Sequence, residues 1–381
     1  MLPAAWDAVR DQFPVLREWT YLNTATFGPL PQCAREAMER HHCRRDEQAC
    51  LDFLDWFDDA DRVRALAARL LGVDPDDIAF VPSTSTALGW LISGMRWQAG
   101  DRVVALAGEF PNNTYTGHGL ARRGVEFVEV PLPGGEFSLD RFLAAIDRRT
   151  RLVLMSTVNY ATGLRPPLAE IGRALGERGV LFYVDVTQSL GALRTDVREM
   201  GAGLAAGHGY KWLCAPAGIG LACIRPEVRE WLEPSLFSWR SHTDWRQVDA
   251  LHHGPPVLPV SAQKYEGGLL NFAGVYALGA ILEWMLALGP EEIERRVQGL
   301  AEYGREVLRA CGARFDGDHL PYYDSPVLAA RFDGVDVASL AARLRAARVV
   351  VSARHGALRV SPHFFNTESD LDRLGEEIRA L

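Results

Sequence analysis

The sequence predicts an α/β protein with a mostly parallel sheet, helices on both of its faces, and a smaller α+β domain at the C-terminal end. Between residues 78 and 224, short apolar segments alternate with helix-forming segments, the pattern of strands joined by crossover helices. At 381 residues the chain exceeds one typical domain. A hydrophobic content of 48% and a charged content of 24% are typical of a globular protein with a sizeable core.

The N-terminal part of the chain is predicted to be mainly helical. Residues 1–20 indicate a short helix and a lead-in, and glycine and proline indicate a loop over residues 21–31. Residues 32–72 are amphipathic, with leucines at helical spacing, and Gly72 is a plausible end of this helical region.

Six apolar segments are predicted to form strands of the sheet. They are residues 78–81, 102–107, 125–130, 152–156, 180–185 and 219–224. Helices are expected near 84, at 138–147 and at 167–178. In sheets of this kind ligands lie beyond the carboxyl ends of the strands. Thr84, Phe110, Asn159 and Asp185 all fall at or just after a predicted strand end, so they are candidates for a site.

The rest of the chain divides into an irregular stretch and a smaller domain. Residues 233–262 combine tryptophan, histidine and proline with little periodicity, which indicates an active-site loop or a domain connection. Long helices are expected over 272–312. Strands near 326–332 and 349–353 and helices at 336–347 and 367–380 predict the α+β domain.

Composition argues against several classes of function. The net charge is −8 without a dense basic block, which argues against nucleic-acid binding. The six cysteines lack zinc spacing, so we expect reduced thiols, no metal and a cytoplasmic protein. The first residues lack the pattern of a signal peptide, and the longest apolar helical stretch, Phe272–Leu288, contains Glu283 and is too short for an uncharged bilayer span, so no membrane partner is expected.

Lys211 is one of only two lysines in this arginine-rich chain, the other being Lys264. It lies in a glycine-containing segment, 26 residues after the acid that ends an apolar strand, Asp185. Such a pair suits a Schiff base between the amine and a cofactor aldehyde, with the acid pairing with the cofactor's ring nitrogen. A surface lysine beside a core strand is the alternative interpretation.

Three segments, in this order, carry a family resemblance: residues 183–188 (YVDVTQ), 209–213 (GYKWL) and 358–367 (LRVSPHFFNT). With them the chain resembles the class V aminotransferase branch of the fold-type I enzymes that depend on pyridoxal 5′-phosphate (PLP). This branch contains cysteine desulfurases, selenocysteine lyases and isopenicillin N epimerases. The resemblance implies a seven-stranded large domain over 21–255, a small domain over 256–381 and an N-terminal segment, 1–20, that packs on the small domain.

The resemblance also implies cofactor-binding roles. Lys211 would hold the cofactor covalently and move the Cα proton, and Asp185 would keep the pyridine nitrogen protonated. Phe110 stands where many relatives have a stacking histidine. The other implied ligands are Gln188 and Asn159 for the phenolic oxygen, and Thr84 and Ser85 for the phosphate. The alternatives with a purely structural role are a helix cap for Asp185 and core packing for Phe110.

On the substrate side, the resemblance implies that Arg359 binds a carboxylate bidentately. Asn23 is a weaker candidate contact, and Arg354 and His355 are candidates for substrate recognition. The alternatives are a structural ion pair for Arg359 and a turn position for Asn23.

Three departures from the family pattern stand out. His208 occupies the place of a phosphate-binding serine, so it is predicted as a substitute ligand, with simple packing beside the loop as the alternative. Leu269 replaces a threonine that reaches the neighbouring subunit's phosphate, a contact for which Asn271 is the possible substitute. Residues 349–359 (VVVSARHGALR) contain no cysteine, whereas desulfurases carry their persulfide-forming cysteine on this loop.

These departures favour a C–S β-lyase that acts on an S-substituted cysteine without a persulfide relay. An aminotransferase, a decarboxylating deaminase or an epimerase of an amino acid is the alternative, and a non-catalytic binding module with the PLP fold is a further one. A nucleotide-binding protein ranks last because no Walker sequence or GxGxxG motif follows a strand. The resemblance also implies a homodimer.

Overall fold

A computed structural model describes residues 3–380. Its helices are α1 (Pro3–Asp11), α2 (Gln32–Gln48), α3 (Asp55–Leu71), α4 (Thr84–Gly94), α5 (Pro111–Gly119), α6 (Leu139–Ala144), α7 (Leu168–Gly176), α8 (Pro226–Arg229), α9 (Phe272–Leu288), α10 (Pro290–Ala310), α11 (Val337–Ala346) and α12 (Glu368–Arg379). Its strands are β1 (Thr20–Tyr21), β2 (Ile78–Val81), β3 (Arg102–Leu106), β4 (Glu126–Val130), β5 (Thr150–Ser156), β6 (Leu181–Asp185), β7 (Leu204–His208), β8 (Gly220–Ile224), β9 (Arg314–Phe315), β10 (Leu328–Arg331), β11 (Val349–Val350), β12 (Ser352–Arg354) and β13 (Ala357–Val360).

The large sheet has seven strands in the order β2-β8-β7-β6-β5-β3-β4. The pairs from β7 to β4 are parallel, and β8 runs antiparallel to both of its neighbours. This arrangement confirms the predicted mostly parallel sheet. The strand that the sequence did not predict is β7, because its residues, Leu-Ala-Ala-Gly-His, lack the β-branched and aromatic side chains that signal a strand.

Both faces of the large sheet are buried, because successive side chains of a strand point to opposite faces. In β5, Val153 and Met155 join the core formed with α3, α7 and α9, whereas Leu152 and Leu154 join the core formed with α4. The strand ends therefore lie at the border of both cores. Packing on both faces holds the backbone that carries the side chains there.

The small sheet is antiparallel, in the order β12-β13-β10-β9, and packs its apolar residues against α10, α11 and α12. The N-terminal segment attaches to this part of the chain. Strand β1 pairs in parallel with β11, and the guanidinium of Arg10 lies 2.7 Å from the carboxylate of Asp370.

The predicted domain boundary at 255/256 assigns helix α9 to the small domain, but the helix packs against the large domain. It packs on α2 and α3, and its residues Val275, Leu278 and Ile281 belong to the core of the large domain. The boundary itself remains a prediction. Helix α9 is apolar on nearly all sides, as a buried helix must be, and this explains its position in the core.

Within residues 3–380 no single helix is long and apolar enough to cross a membrane. Helices α9 and α10 together have the length and composition of a membrane span, but a bend of 81° separates them.

The irregular stretch after β8 is anchored by a buried cluster of charges. Glu266, whose side chain is fully buried, accepts hydrogen bonds from Arg64 at 2.7 Å and from Arg240 at 3.1 Å. It also accepts one from the backbone N–H of Phe80 in β2, at 2.8 Å. The carboxylate thus ties residues 233–271 to α3 and to the edge of the large sheet.

We expect Glu266→Gln to destabilise the protein by about 3–5 kcal/mol, because it leaves the buried guanidinium of Arg240 without its carboxylate and that of Arg64 with only the partly exposed carboxylate of Asp61. The measurement is the free energy of unfolding from urea denaturation. Glu39→Gln, at an exposed position of α2, is the matched control and should change this free energy by less than about 0.5 kcal/mol. A loss below about 1 kcal/mol for the Glu266 variant would contradict the anchoring role.

Candidate active site

A narrow recess opens at the carboxyl ends of β3, β5 and β6, facing the N-terminal end of α4. Six of the predicted side chains and several others line it: Thr84, Phe110, Asp185, Gln188, His208 and Lys211, with Ser156, Val158, Tyr160, Thr187 and Tyr210. The topology thus brings most of the predicted cofactor ligands to one place, as expected for strand ends of a parallel sheet.

Lys211 lies in the turn after β7 and is only 8% exposed. Close packing of backbones fixes this turn. A Cβ on Gly209 would meet the carbonyl oxygen of Ile219 at 2.7 Å, and one on Gly28 would meet the carbonyl oxygen of Lys211 itself at 2.1 Å. Substitution of either glycine would displace the lysine, which explains the small residues around it.

The surroundings of Lys211 favour the neutral form of its amine. Burial lowers its pKa to about 8; the carboxylate of Asp185 opposes this shift, and the guanidiniums of Arg359 and Arg354 add to it. At neutral pH roughly a tenth of the amine is therefore unprotonated, far more than for an ordinary lysine. An amine must be unprotonated to act as a nucleophile or a base.

The pH dependence of covalent PLP binding follows from this pKa. In the protein freed of cofactor, we expect the rate at which Lys211 takes up PLP to rise roughly tenfold per pH unit and to level off above about pH 8. Nα-acetyl-lysine is the control, and its rate should keep rising to about pH 10. The rates are read from the visible absorbance of bound PLP. A protein rate that rises in parallel with the control would contradict the lowered pKa.

Asp185 ends β6 and is buried, beside Ser156 of β5. Its Oδ1 accepts a hydrogen bond from the backbone N–H of Thr187 at 2.9 Å. Within the described residues no hydrogen bond joins it to Lys211, although the two charges interact. The carboxylate of Asp185 and the amine of Lys211 therefore share the recess without a direct hydrogen bond.

Thr84 and His208 form one end of the recess. The hydroxyl of Thr84 lies 3.0 Å from Nε2 of His208, and α4 is capped by Ser83, which accepts from the N–H of Thr86. Ser83 therefore caps this helix, and the hydroxyl of Thr84 is directed to His208 instead of to the cap. Burial lowers the pKa of His208, so its ring is neutral and can donate one hydrogen bond.

Ser85 lies outside the recess. Its hydroxyl donates to the side-chain oxygen of Asn112 at 2.5 Å, at an exposed position of the first turn of α4. Its role as a phosphate ligand remains a prediction.

Two aromatic rings flank the lysine. Nζ of Lys211 lies 5.4 Å from the ring centroid of Phe110 and 6.0 Å from that of Tyr210. Phe110 is 40% exposed, so its ring is not part of a core, and the packing alternative is wrong. Its ring is free to cover a planar ligand at the end of β3.

The amides of Asn159 and Gln188 are already engaged. Asn159 donates to the carbonyl of Gly108 at 2.9 Å and accepts from two backbone N–H groups of the turn that follows it. Gln188 donates to the carbonyl of Ala25 at 3.1 Å and accepts from the indole of Trp212 at 2.8 Å. These bonds use one of the two N–H groups of each side-chain amide. Contact of the other with the cofactor's phenolic oxygen remains a prediction.

Arg359 is 2% exposed and forms no ion pair with a carboxylate of residues 3–380. It donates to the carbonyl of Tyr160 at 2.7 Å and to the hydroxyl of Thr26, and its Nε has no partner there. The ion-pair alternative is therefore wrong for the described chain. A buried guanidinium without a counter-charge is a site for an anion.

Asn23 supports this arginine indirectly. Its side-chain oxygen accepts a hydrogen bond from Thr26 at 2.9 Å, and Thr26 in turn accepts from Arg359. The structure places Asn23 behind the anion site, at a bridge to Ser361, instead of in the recess.

Arg354 and His355 lie in the neighbouring cleft, between the two sheets. The ring Nε2 of His355 is 2.8 Å from the hydroxyl of Tyr160. Leu269, at the position of the family's threonine, is 71% exposed, and Asn271 caps α9 by accepting from the N–H of Gly274.

Glu109, a buried carboxyl beside Asp185, was not predicted from the sequence. It accepts hydrogen bonds from the N–H and the hydroxyl of Ser156, at 2.9 and 2.5 Å, and from Asn113 at 3.0 Å. Burial raises its pKa, and the charge of Asp185 adds to this. The signal was present, because Glu109 follows a predicted strand end directly before Phe110.

The family model for class V aminotransferases matches residues 55–374. The chain belongs to the class V aminotransferase family. It is 28% identical to a probable cysteine desulfurase of Methanothermobacter thermautotrophicus, over 98% of this chain and 97% of that one. It is also 28% identical to an isopenicillin N epimerase of Streptomyces clavuligerus, over 100% and 99% of the two chains.

Solved structures show the same fold. A variant of C-DES with glycine covalently linked to its PLP cofactor superposes with a TM-score of 0.89 at 22% identity, covering 97% of this chain and 98% of that one. The complex of C-DES, a cystine C–S lyase, with cysteine persulfide gives 0.88 at 21% identity, covering 96% and 99%. The resemblance found in the sequence is therefore confirmed, and the protein is a PLP-dependent enzyme that acts on amino acids.

The residues present fit PLP. A buried lysine that has no hydrogen-bond partner within residues 3–380 lines the same recess as a buried carboxylate, and the half-exposed ring of Phe110 lies 5.4 Å from the amine. At the far end, Nδ1 of His208 is buried and has no partner within residues 3–380. Lys211 would hold the aldehyde carbon, Asp185 the ring nitrogen, and Thr84 and His208 the phosphate.

Proposed function

We propose that this class V enzyme is a C–S β-lyase that cleaves S-substituted cysteines without a persulfide relay. The observation that carries the proposal is the connection between β12 and β13. It consists of two residues, His355 and Gly356, both in the left-handed conformation with φ of 48° and 74°. This is the shortest common hairpin connection, and it has neither a thiol nor the length of a mobile loop.

The cysteines of the chain lie elsewhere. They are Cys33, Cys43, Cys50, Cys214, Cys223 and Cys311. The one nearest to Lys211 along the chain is Cys214, which is fully buried, and burial raises the pKa of its thiol far above the usual range. Because the thiolate is the reactive form, this residue is unsuited to accept sulfur from a substrate.

The remaining groups suffice for an elimination. PLP, when bound, supplies an electron sink for the charge that develops at Cα. Arg359 binds the substrate carboxylate, and Lys211 takes the proton from Cα while the Cβ–S bond breaks and the sulfur leaves with the bonding electrons. With one water, the S-substituted cysteine yields a thiol, pyruvate and ammonia.

The test is pyruvate formation from S-substituted cysteines in the absence of a keto acid, followed by coupling to lactate dehydrogenase. We expect pyruvate and free thiol in equal amounts. A requirement for a keto-acid acceptor would instead support an aminotransferase. Conversion of the substrate into its enantiomer, or release of carbon dioxide, would support an epimerase or a decarboxylase. No turnover of any amino acid would support a binding module.

We also propose that the enzyme is a homodimer. Between β8 and α9 five large apolar side chains are more than half exposed: Leu236, Phe237, Val257, Val260 and Leu269. Surfaces of this kind mark association sites. A mass measurement in solution tests the proposal, and a monomer at micromolar concentration would contradict it.

A further inference from the structure

Arg354 lies beside Arg359 on the same face of the small sheet. In the register of β12 and β13, Ser352 is opposite Arg359 and Arg354 is opposite Ala357. Opposite residues share a face, and so do residues two apart along a strand. The two arginines are therefore diagonal neighbours, with Cα atoms roughly 7–8 Å apart.

The same face borders a cleft of about 810 Å³ between the small sheet and the large domain. Its lining includes Ala329, Arg354, His355 and Ala357 from the small sheet and its turn, and Asn159 and Tyr160 from the large domain. Tyr160 also lines the recess, so the cleft adjoins the recess that holds Lys211. A volume of this size accommodates a ligand much larger than cysteine.

Arg354 differs from the other charged residues of the cleft. The lining carboxylates are all paired: Glu302 with Arg305, Asp318 with Arg309, Asp316 with Arg331 and Asp324 with Arg165. Among residues 3–380 the guanidinium of Arg354 has only one hydrogen-bond partner, the carbonyl of its neighbour Ala353, at 2.8 Å. It is thus the one cation of the cleft lining without a counter-charge in the described chain.

The position of Arg354 is fixed. The turn that follows it is held by Tyr160, whose hydroxyl lies 2.8 Å from the ring of His355, and by Arg331, which donates to the carbonyl of His355 at 3.0 Å. These contacts hold the backbone that carries Arg354, so only its side chain has to be ordered when it binds an anion.

We infer that Arg354 binds a second anionic group, carried on the distal part of the substrate's side chain. Arg359 holds the α-carboxylate, the reacting bond lies next to Lys211, and the side chain extends into the cleft towards Arg354. The substrate class is then an amino acid with a side chain that ends in a carboxylate or a similar anion. Under the proposed function, on which this inference rests, it is a cysteine with an acidic S-substituent.

The test uses ligands that cannot react. 3,3′-Thiodipropanoate lacks the amine of S-(2-carboxyethyl)cysteine but keeps both carboxylates, and its monoamide replaces one of them with a neutral group of similar shape. We expect the wild-type holoenzyme to bind the diacid at least about tenfold more tightly than the monoamide, as measured by titration calorimetry. Arg354→Gln should reduce this ratio to about 2 or less, and Arg354→Lys should retain part of it.

Arg309→Gln is the matched control, because Arg309 also lines the cleft but is paired with Asp318. It should leave the ratio unchanged, and thermal unfolding of all variants checks that they are folded. Equal affinity of the wild type for the two ligands would overturn the inference. So would an equal loss of affinity for both ligands in Arg354→Gln, because Arg354 would then share the α-carboxylate with Arg359.

Failure of the proposed lyase is distinguishable from failure of this site. A diacid preference that depends on Arg354, together with no pyruvate from S-(2-carboxyethyl)cysteine, would support the anion site and contradict the lyase. Pyruvate formation at the same kcat/KM from this substrate and from its amide would contradict the anion site and leave the lyase standing.

Discussion

Lys211→Ala is expected to abolish the visible absorbance of bound PLP and to lower kcat/KM by about 10³-fold or more. The change removes both the amine that holds the cofactor aldehyde and the base that moves the Cα proton, and such groups typically contribute factors of 10² to 10⁴ each. The measurements are the absorbance spectrum of the purified protein with added PLP and the rate of pyruvate formation.

The chain supplies its own control for this experiment. Lys264 is the only other lysine, and its amine donates to the carbonyl of Arg229 at 2.7 Å, away from the recess. Lys264→Ala should therefore keep the wild-type spectrum. If Lys211→Ala retained the visible absorbance while Lys264→Ala lost it, the assignment of the cofactor lysine would be wrong.

Arg359→Gln is expected to lower kcat/KM by about 10²-fold, chiefly through a higher KM. The loss follows if Arg359 has its proposed role, because the change then removes a bidentate, charge-assisted contact in a buried position. Burial, with the nearby charge of Arg354, lowers the pKa of Arg359 to about 10, so the guanidinium is still protonated at neutral pH. Wild-type KM should accordingly rise as the pH passes through about 10, as the positive charge is lost.

The control for this variant is Arg173→Gln, at an exposed position of α7, which should leave KM unchanged. A change in KM below about threefold for Arg359→Gln, in a protein that still binds PLP, would show that the substrate carboxylate is bound elsewhere.

The sequence predicted the parts of the fold and site that depend on local pattern. Asp185 and Phe110 were identified by their places at or just after the ends of apolar strands, and the topology does bring both to the recess that contains Lys211. These positions were predictable because the carboxyl ends of parallel strands lie at one edge of the sheet.

Other features depend on tertiary contacts and had no local signal. The engagement of Gln188 with Ala25 and Trp212 joins segments far apart in the chain, so its neighbours could not be read from residues 183–188. The packing of α9 on α2 and α3 likewise reflects an apolar surface that the sequence shows but does not assign to a partner. Glu109 differs from these, because its place after a predicted strand end was a local signal; an acid there is usually exposed, whereas here Ser156 and Asn113 satisfy it inside the protein.

The most direct test of the proposed elimination is a single NMR experiment in D₂O. The holoenzyme is incubated with S-(2-carboxyethyl)-L-cysteine and no keto acid, and all products are quantified. Elimination by Lys211 without a persulfide relay predicts pyruvate with deuterium in its methyl group, together with one equivalent of 3-mercaptopropanoate. Recovered substrate that carries deuterium at Cα in both enantiomers, without pyruvate, would contradict the lyase and establish an epimerase.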